Sequence, residues 1–257
     1  MSRLACRHGV ITLDVLDCSY GYTRQILRRL ENCHWLARIT PGTYELIPAE
    51  RGEHAFPDTN RLFLGSTLVE PYYFSFATAA FFHGLSTQAS ATVYIATPVP
   101  KGRRLLTVRG KRYRLVVQPH HKFFGATEVD AYGSPVMMAR PEKTVLDALD
   151  RPEYAGDVPE IAGMLWRGQG RLDWDRLVDD ARRFESQALV QRLGFLSDLI
   201  DVPLPSSARD RLSAAVGNST PYLGRTGTWG TGGDYDATWC IVDNVPRREL
   251  LAEIDVW

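Results

Sequence analysis

The run YTRQILRRLENCHWLARITPGTYELI, residues 22–47, decides how the chain begins to fold. Ile26, Leu27, Leu30 and Cys33 recur at i, i+1, i+4 and i+7, which predicts a helix from Tyr22 to His34 with these four facing inward. At 100° per residue, Arg24, Gln25, Arg28 and Asn32 then fall on the opposite face, with Arg29 at its flank. Leu36–Ile39 and Tyr44–Ile47 follow as two strands. Thr40-Pro41-Gly42-Thr43 joins them, and Pro at i+1 with Gly at i+2 specifies a type II turn. Upstream, Thr12 is expected to cap a short helix through Asp17, stopped by Ser19-Tyr20-Gly21. Two helices and a ribbon in this order are the parts of a winged helix-turn-helix.

Working outward, residues 49–60 (AERGEHAFPDTN) are polar, carry Gly and Pro, and read as a linker. A helix is expected over Leu62–Val69 and another from Ser75 to His83, stopped by Gly84. Thr92–Thr97, Leu105–Arg109 and Arg112–Gln118 read as strands, and residues 123–139 as a hairpin about Tyr132-Gly133-Ser134. From Pro141 the pattern turns helical. Expected starts are Pro141 at N1, Asp157, Asp173, Ser186, and Ser206 or Ser207, followed by a Gly- and Thr-rich loop over Gly217–Gly233 and a strand over Trp239–Val242. The expected fold is α+β: a winged helix-turn-helix over residues 1–48, a linker over 49–60, and a larger mixed α/β domain over 61–257. In that larger domain a basic antiparallel sheet is flanked by helices.

The charge is uneven in a way the total hides. The chain of 257 residues has 30 Lys+Arg and 30 Asp+Glu, a formal net charge of zero, which by itself argues against a nucleic-acid partner. From Pro71 to Thr127, however, there is no Asp or Glu, while Lys101, Arg103, Arg104, Arg109, Lys111, Arg112, Arg114 and Lys122 all lie there. The acids that cancel them are concentrated after residue 127. Neutrality is therefore a cancellation between a cationic centre and an anionic C-terminal half.

Three features compete for function. Arg, Gln and Asn make bidentate contacts to G and A edges, so Arg24, Gln25, Arg28, Arg29 and Asn32 are candidates for reading a major groove. Arg38, Thr40 and Thr43 are placed to meet phosphates or a minor groove from the ribbon. A merely solvated helix face shows the same composition. The basic sheet, through Arg103, Arg104, Arg109, Lys111, Arg112 and Arg114, can neutralise phosphates or dock an acidic protein. Enzyme signatures are weak: Gly230-Thr231-Gly232-Gly233 lacks the Lys of a phosphate loop, no G-x-S-x-G occurs, and the histidines are scattered. Asp234 and Asp236 are spaced like metal ligands, as are many solvated loop carboxylates. His83 reads as a core histidine. No catalytic residue, metal site or cofactor is expected.

The cysteines, Cys6, Cys18, Cys33 and Cys240, have no paired spacing and read as buried or free thiols of a reducing compartment. No apolar run reaches the ~20 residues of a membrane span, and the N-terminus lacks an apolar leader segment, so a cytoplasmic protein with no membrane partner is expected.

Several blocks resemble the AbiEi family of antitoxins and transcriptional regulators. They are Tyr73 to Gln88 (YFSFATAAFFHGLSTQ), Val93-Tyr94-Ile95-Ala96-Thr97, Phe123-Phe124-Gly125, Arg140 to Asp147 (RPEKTVLD), Asp150-Arg151-Pro152-Glu153-Tyr154 and Tyr235 to Trp239. The resemblance implies a component of a bacterial type IV toxin-antitoxin system. Its winged helix would bind inverted repeats in its own promoter, and its C-terminal domain would counter a nucleotidyltransferase-like toxin encoded beside it. It places the DNA-reading helix on Tyr22–His34 and the wing on Leu36–Ile47. Family members put a full helix ahead of Thr12, where this chain has Ser2–His8, room for about two turns. The expected partners are double-stranded promoter DNA and the toxin, with the chain itself monomeric. The competing reading is a protein-interaction module whose basic sheet docks an acidic partner and which binds little DNA.

Overall fold

The computed structural model describes residues 10–12, 20–47 and 60–254, with the backbone alone for Thr12 and residues 20–24. It begins with β1 (Val10–Thr12), α1 (Tyr20–Asn32), β2 (Leu36–Thr40) and β3 (Thr43–Leu46). β3 lies between β1 and β2 in an antiparallel sheet. Thr12, expected as a helix cap, instead closes a strand and pairs with Thr43. Val10, Ile11 and Thr12 are three β-branched residues in succession, which favours extended backbone over a helix start. The rest of the expected helix, residues 13–17, lies outside the described residues. Gly42 has φ +87°, as position i+2 of a type II turn requires.

Helix α1 ends two residues before the expected His34. His34 takes φ +59°, its N–H donates to Glu31 O, and Trp35 N–H donates to Leu30 O at 3.0 Å. This is the doubly bonded left-handed termination of a Schellman motif. Of the four residues expected inside, Leu27 is buried against Ile11, Leu36 and Tyr44, whereas Ile26 (40%), Leu30 (37%) and Cys33 are exposed. A three-stranded ribbon is narrow, and it covers only the strip of helix centred on Leu27.

The next stretch comprises α2 (Arg61–Ser66), β4 (Tyr73–Phe74), α3 (Phe76–Phe82), β5 (Thr92–Thr97), β6 (Leu105–Val108), β7 (Lys111–Val117), β8 (Ala126–Asp130) and β9 (Pro135–Ala139). Six of these form one sheet in the order β6-β7-β5-β4-β9-β8. The sheet is mixed rather than antiparallel. β5 and β7 run parallel from Thr92↔Arg112 to Thr97↔Val117, and β4 and β9 pair in parallel at Phe74↔Met138. Five of the six strands are where the sequence pattern places them; β4, two residues long, is not among the expected strands. Their order departs because β6 folds to the outside of β7 as an edge hairpin, returning β7 to β5 in the same direction. Asn60 caps α2, accepting from Leu62 N–H, and its amide donates to Ala131 O at 2.8 Å, tying the helix to the β8–β9 turn.

Both faces of the small N-terminal sheet are covered. Ile11, Leu36 and Tyr44 meet Leu27 of α1, while Ile39 joins the core of the large sheet and Val10 packs against it. The alternation of side chains along each strand produces this division.

The remainder is α4 (Pro141–Asp150), α5 (Asp157–Arg167), α6 (Trp174–Arg183), α7 (Gln187–Leu199), α8 (Ser206–Ser213), α9 (Thr226–Trp229), β10 (Asp234–Asp236), β11 (Ile241–Asp243) and α10 (Arg247–Leu251). Pro141 occupies N1 of α4, and Asp173 caps α6 by accepting from Arg176 N–H. Asp157, expected as a cap, is the first residue of α5, because Gly156 takes the preceding position in the left-handed region. α4 is buried from Glu142 to Leu149 and packs against α3, α5, α6 and α7, so it is the axis of the helical layer. The expected Trp239–Val242 strand begins at Ile241 and pairs with β10, a partner too polar to be read as a strand. No helix among the described residues is long and apolar enough to cross a membrane.

Candidate nucleic-acid interface

On α1, Gln25, Arg28 and Asn32 are exposed and follow one another at spacings of three and four, which places them on one helix face. Arg29, also exposed, flanks them. Arg24 belongs to the same helix by its backbone, and its side chain lies outside the described residues. Arg28 and Arg29 form no ion pair among the described residues.

Arg38 is exposed on β2, and Thr40 and Thr43 are half-buried either side of the Pro41-Gly42 turn. This ribbon is fastened to the large sheet through Arg109, which occupies the two-residue turn between β6 and β7. Arg109 and Gly110 have φ +46° and +72°, the paired positive values of a type I′ hairpin turn. From there Arg109 Nη1 donates to Glu45 Oε2 at 2.9 Å, and Nη2 donates to Arg38 O at 3.3 Å.

The basic residues of the large sheet divide by what they touch. Arg103, Arg104, Lys111 and Arg112, with Lys101, are exposed and form no ion pair among the described residues. Leu115 N–H donates to Arg104 O, so Arg104 stands about 10 Å along the hairpin from Arg112 at ~3.3 Å per residue. Arg109 is committed to Glu45. Arg114 is half-buried with its guanidinium 5.4 Å from the centre of the Tyr154 ring, and Lys122 pairs with Asp150 at 2.7 Å. Along β7 Tyr113 and Leu115 are buried, but so is Val116, so the alternation stops there; Tyr113 donates to Arg61 O. Burial pushes the Tyr113 hydroxyl up to about 12 against the pull of Arg61 and Arg109.

Because Arg109 touches Arg38 O and Glu45, the hairpin that carries Lys111 abuts the ribbon that carries Arg38 at one seam. The contact is through the Arg38 backbone; its side chain, like that of its cross-strand partner Tyr44, lies on the α1 side of the ribbon. Sequence pattern could not show that Arg109 serves this seam, since its partner Glu45 is far off in the chain.

A second set of polar residues is enclosed. Asp147 accepts from Ser75 Oγ at 2.6 Å, from Gln118 Nε2 at 2.9 Å and from Lys143 Nζ, and Tyr73 donates to Gln118 Oε1 at 3.0 Å. Ser75, Lys143 and Asp147 have no solvent exposure. Burial pulls the Lys143 pKa down against the attraction of Asp147. The network joins β4, the end of β7 and α4, and with no solvent access its role is architectural. The available signal was Lys143 and Asp147, four residues apart among apolar neighbours. His83 Nε2 lies 2.7 Å from Ala139 O, a satisfied histidine at the sheet surface. Asp234 faces Asp243 across the β10–β11 pair, and Asp236 accepts from Trp239 N–H. Among the described residues no three His, Cys, Asp or Glu are grouped to hold a metal ion.

No family model matches the sequence, and no curated protein does. Among solved structures the chain is similar to the crystal structure of the RV2827C protein from Mycobacterium tuberculosis, with a TM-score of 0.61 and 16% identity over 95% of this chain and 89% of that one. At that identity the likeness is one of fold.

Proposed function

We propose that the protein is a DNA-binding autorepressor and antitoxin, with residues 1–48 acting as a winged helix-turn-helix and residues 61–257 as an AbiEi-like domain that counters a nucleotidyltransferase-like toxin. The observation that supports it best is the seam at Arg109. It brings the ribbon bearing Arg38 against the hairpin bearing Lys111 and Arg112. In this reading Gln25, Arg28 and Asn32 meet base edges, while Arg38, Arg103, Arg104, Lys111 and Arg112 meet phosphates. The test is binding to the duplex upstream of its own gene across a salt series. Each phosphate contact should contribute about 0.9 to the slope of log K against log salt. Arg28→Ala should erase sequence preference; salt-insensitive binding, or none, would reject the proposal.

One observation favours a second reading. Leu105, 56% exposed, sits among the hairpin cations, where phosphates need no apolar side chain. An acidic protein partner would use both, and its capture by a protein that binds no upstream duplex would select that reading.

A further inference from the structure

The six-stranded sheet has a bare edge at each end. Arg104 O accepts from Leu115 N–H, so Arg104, Leu106 and Val108 turn their backbone groups toward β7, and Leu105 and Thr107 turn theirs outward. At the other end Gly125 pairs with Arg140 and Ala131 with Ser134, which leaves Ala126, Glu128 and Asp130 of β8 facing outward in the same way. No strand among the described residues pairs with either edge. Leu105 is 56% exposed, and Thr107, Glu128 and Asp130 are exposed as well. Unpaired backbone of this kind is a template for another strand.

The two edges carry opposite charge. Arg103 and Arg104 lead into β6, and Lys111 and Arg112 lie beside it on β7; all four are exposed and form no ion pair among the described residues. β8 offers Glu128 and Asp130, which form no ion pair among the described residues either. Charges on edge strands ordinarily keep sheets apart. Here they do so for like edges only: β6 against β6 sets cation on cation, and β8 against β8 sets acid on acid. Of the possible pairings of these edges, charge favours β8 against β6.

Sheet geometry favours the same pairing. Leu105 lies opposite Arg114, and Arg114 opposite Tyr94; Tyr94 shares its face with Ala96, which lies opposite Tyr73. Phe74 pairs with Met138 on the other face, so Tyr73 goes with Met137 and with its partner Glu128. Leu105, Thr107, Arg112, Glu128 and Asp130 therefore belong to one face of the sheet. Strand direction reverses at β6–β7, at β5–β4 and at β9–β8, so β6 and β8 run opposite ways. A second copy that continues the sheet with the same face forward thus pairs antiparallel, the more stable ladder, and brings the β8 acids across from Thr107 and Arg112. We infer that copies of this chain associate head to tail, β8 of one adding to β6 of the next, in place of the monomer expected from the sequence. The contact joins unlike surfaces, so it does not close at two copies. β6 has 4 residues and β8 has 5, which bury less than the ~1,200 Å² of a stable interface, so the association is weak and concentration-dependent. The inference uses the cationic hairpin but rests on neither reading of its function.

The test is sedimentation velocity of the full chain, free of nucleic acid, over a concentration series at low and high salt. The average mass should climb with concentration past that of two copies and fall back as salt screens the edges. Glu128→Lys, an exposed change, reverses one charge and should weaken association about fivefold or more. Thr107→Pro and Glu128→Pro each remove one outward N–H, which an edge strand tolerates, and each should hold the chain at a single copy. Mixed together, these two variants keep one live edge apiece and should form a dimer and nothing larger. Thermal melts show whether each variant is folded; if a proline variant is not, Glu128→Lys and the salt series decide. A mass that stays at one copy, growth that stops at two copies, unchanged association in Glu128→Lys, or no dimer from the mixed and folded proline variants overturns the inference.

Discussion

Arg109 and Glu45 form an ion pair at 2.9 Å that joins the β6–β7 turn to the central strand of the N-terminal sheet, with Glu45 only 4% and Arg109 19% exposed. Glu45 and Tyr44 are both buried because they point to opposite faces of β3, one toward the large sheet and the other toward Leu27. Removing one member of such a pair takes a close opposite charge from a group that has already lost much of its water. Arg109→Ala should cost about 2–4 kcal/mol in urea unfolding, near the range for broken buried pairs. Glu45→Gln with Arg109→Ala should recover part of that cost in a double-mutant cycle. If Arg109→Ala costs less than ~0.5 kcal/mol, the range of surface substitutions, the pair does not fasten the ribbon.

The inner network predicts an asymmetry. Asp147 has three donors, Ser75, Gln118 and Lys143, whereas the Lys143 ammonium bonds to Asp147 and otherwise faces the rings of Tyr73, Phe124 and Phe184. Asp147→Ala leaves a buried ammonium without its carboxylate and should cost about 3–5 kcal/mol. Lys143→Met keeps two donors on Asp147 and fills the aromatic slot, so it should cost about 1–3 kcal/mol. Equal losses in thermal or denaturant unfolding would show that the ring contacts, rather than Asp147, stabilise the ammonium.

These residues mark where the sequence stops being legible. Strands β5 and β7, the Pro41-Gly42 turn, Pro141 at N1 and the Asp173 cap follow from local pattern, because each depends on neighbours within a few residues. The parallel pairing of β5 with β7, the Arg109–Glu45 seam and the Ser75–Asp147–Gln118 network depend on residues tens of positions apart. The exposure of Ile26 and Leu30 has the same origin: periodicity finds the apolar stripe, but the width of the ribbon decides how much of it is covered. Of the candidate site, the exposed α1 face was visible in spacing, while the division of the sheet cations into free and engaged was not.

His83 supplies a pH signature. Burial lowers its pKa below 6.5, outweighing the hydrogen bond to Ala139 and the charge of Glu142, which raise it. Between the lowered folded value and 6.5 the unfolded chain binds more protons, so stability should rise with pH across that window and be lost as pH falls through it. Asp180, Glu160 and Asp243, with pKa values raised chiefly by burial, contribute the opposite slope at lower pH. The difference between wild type and His83→Gln isolates the histidine. That difference should change with pH only below about 6.5, and a flat difference from pH 5 to 8 would reject the assignment.

Gly194 lies under the Trp239 indole, and a Cβ there would fall 2.1 Å from the ring. The indole is fixed from its far side, since Nε1 donates to Asp198 Oδ2 at 2.8 Å. Gly194→Ala should therefore destabilise by about 1–3 kcal/mol, as overpacking does, despite the better helix propensity of alanine. A stabilised variant would mean that Trp239 can withdraw without cost.

Arg112 and Arg114, two residues apart on β7, should behave differently. Arg112 is exposed, and its removal should leave stability within about 0.5 kcal/mol while lowering the salt slope of duplex binding by about 1. Arg114 lies against Tyr154, bonds weakly to its hydroxyl at 3.4 Å and sits beside Tyr94, whose ring is 5.6 Å from that of Tyr154. Its long aliphatic stem and guanidinium contribute packing, so Arg114→Ala should cost about 1–2 kcal/mol of stability with little change in the salt slope. Charge counted along the sequence treats the two as equal. Matched slopes and matched stabilities for the two variants would return both to a common phosphate-binding surface and remove the distinction that the Tyr154 contact implies.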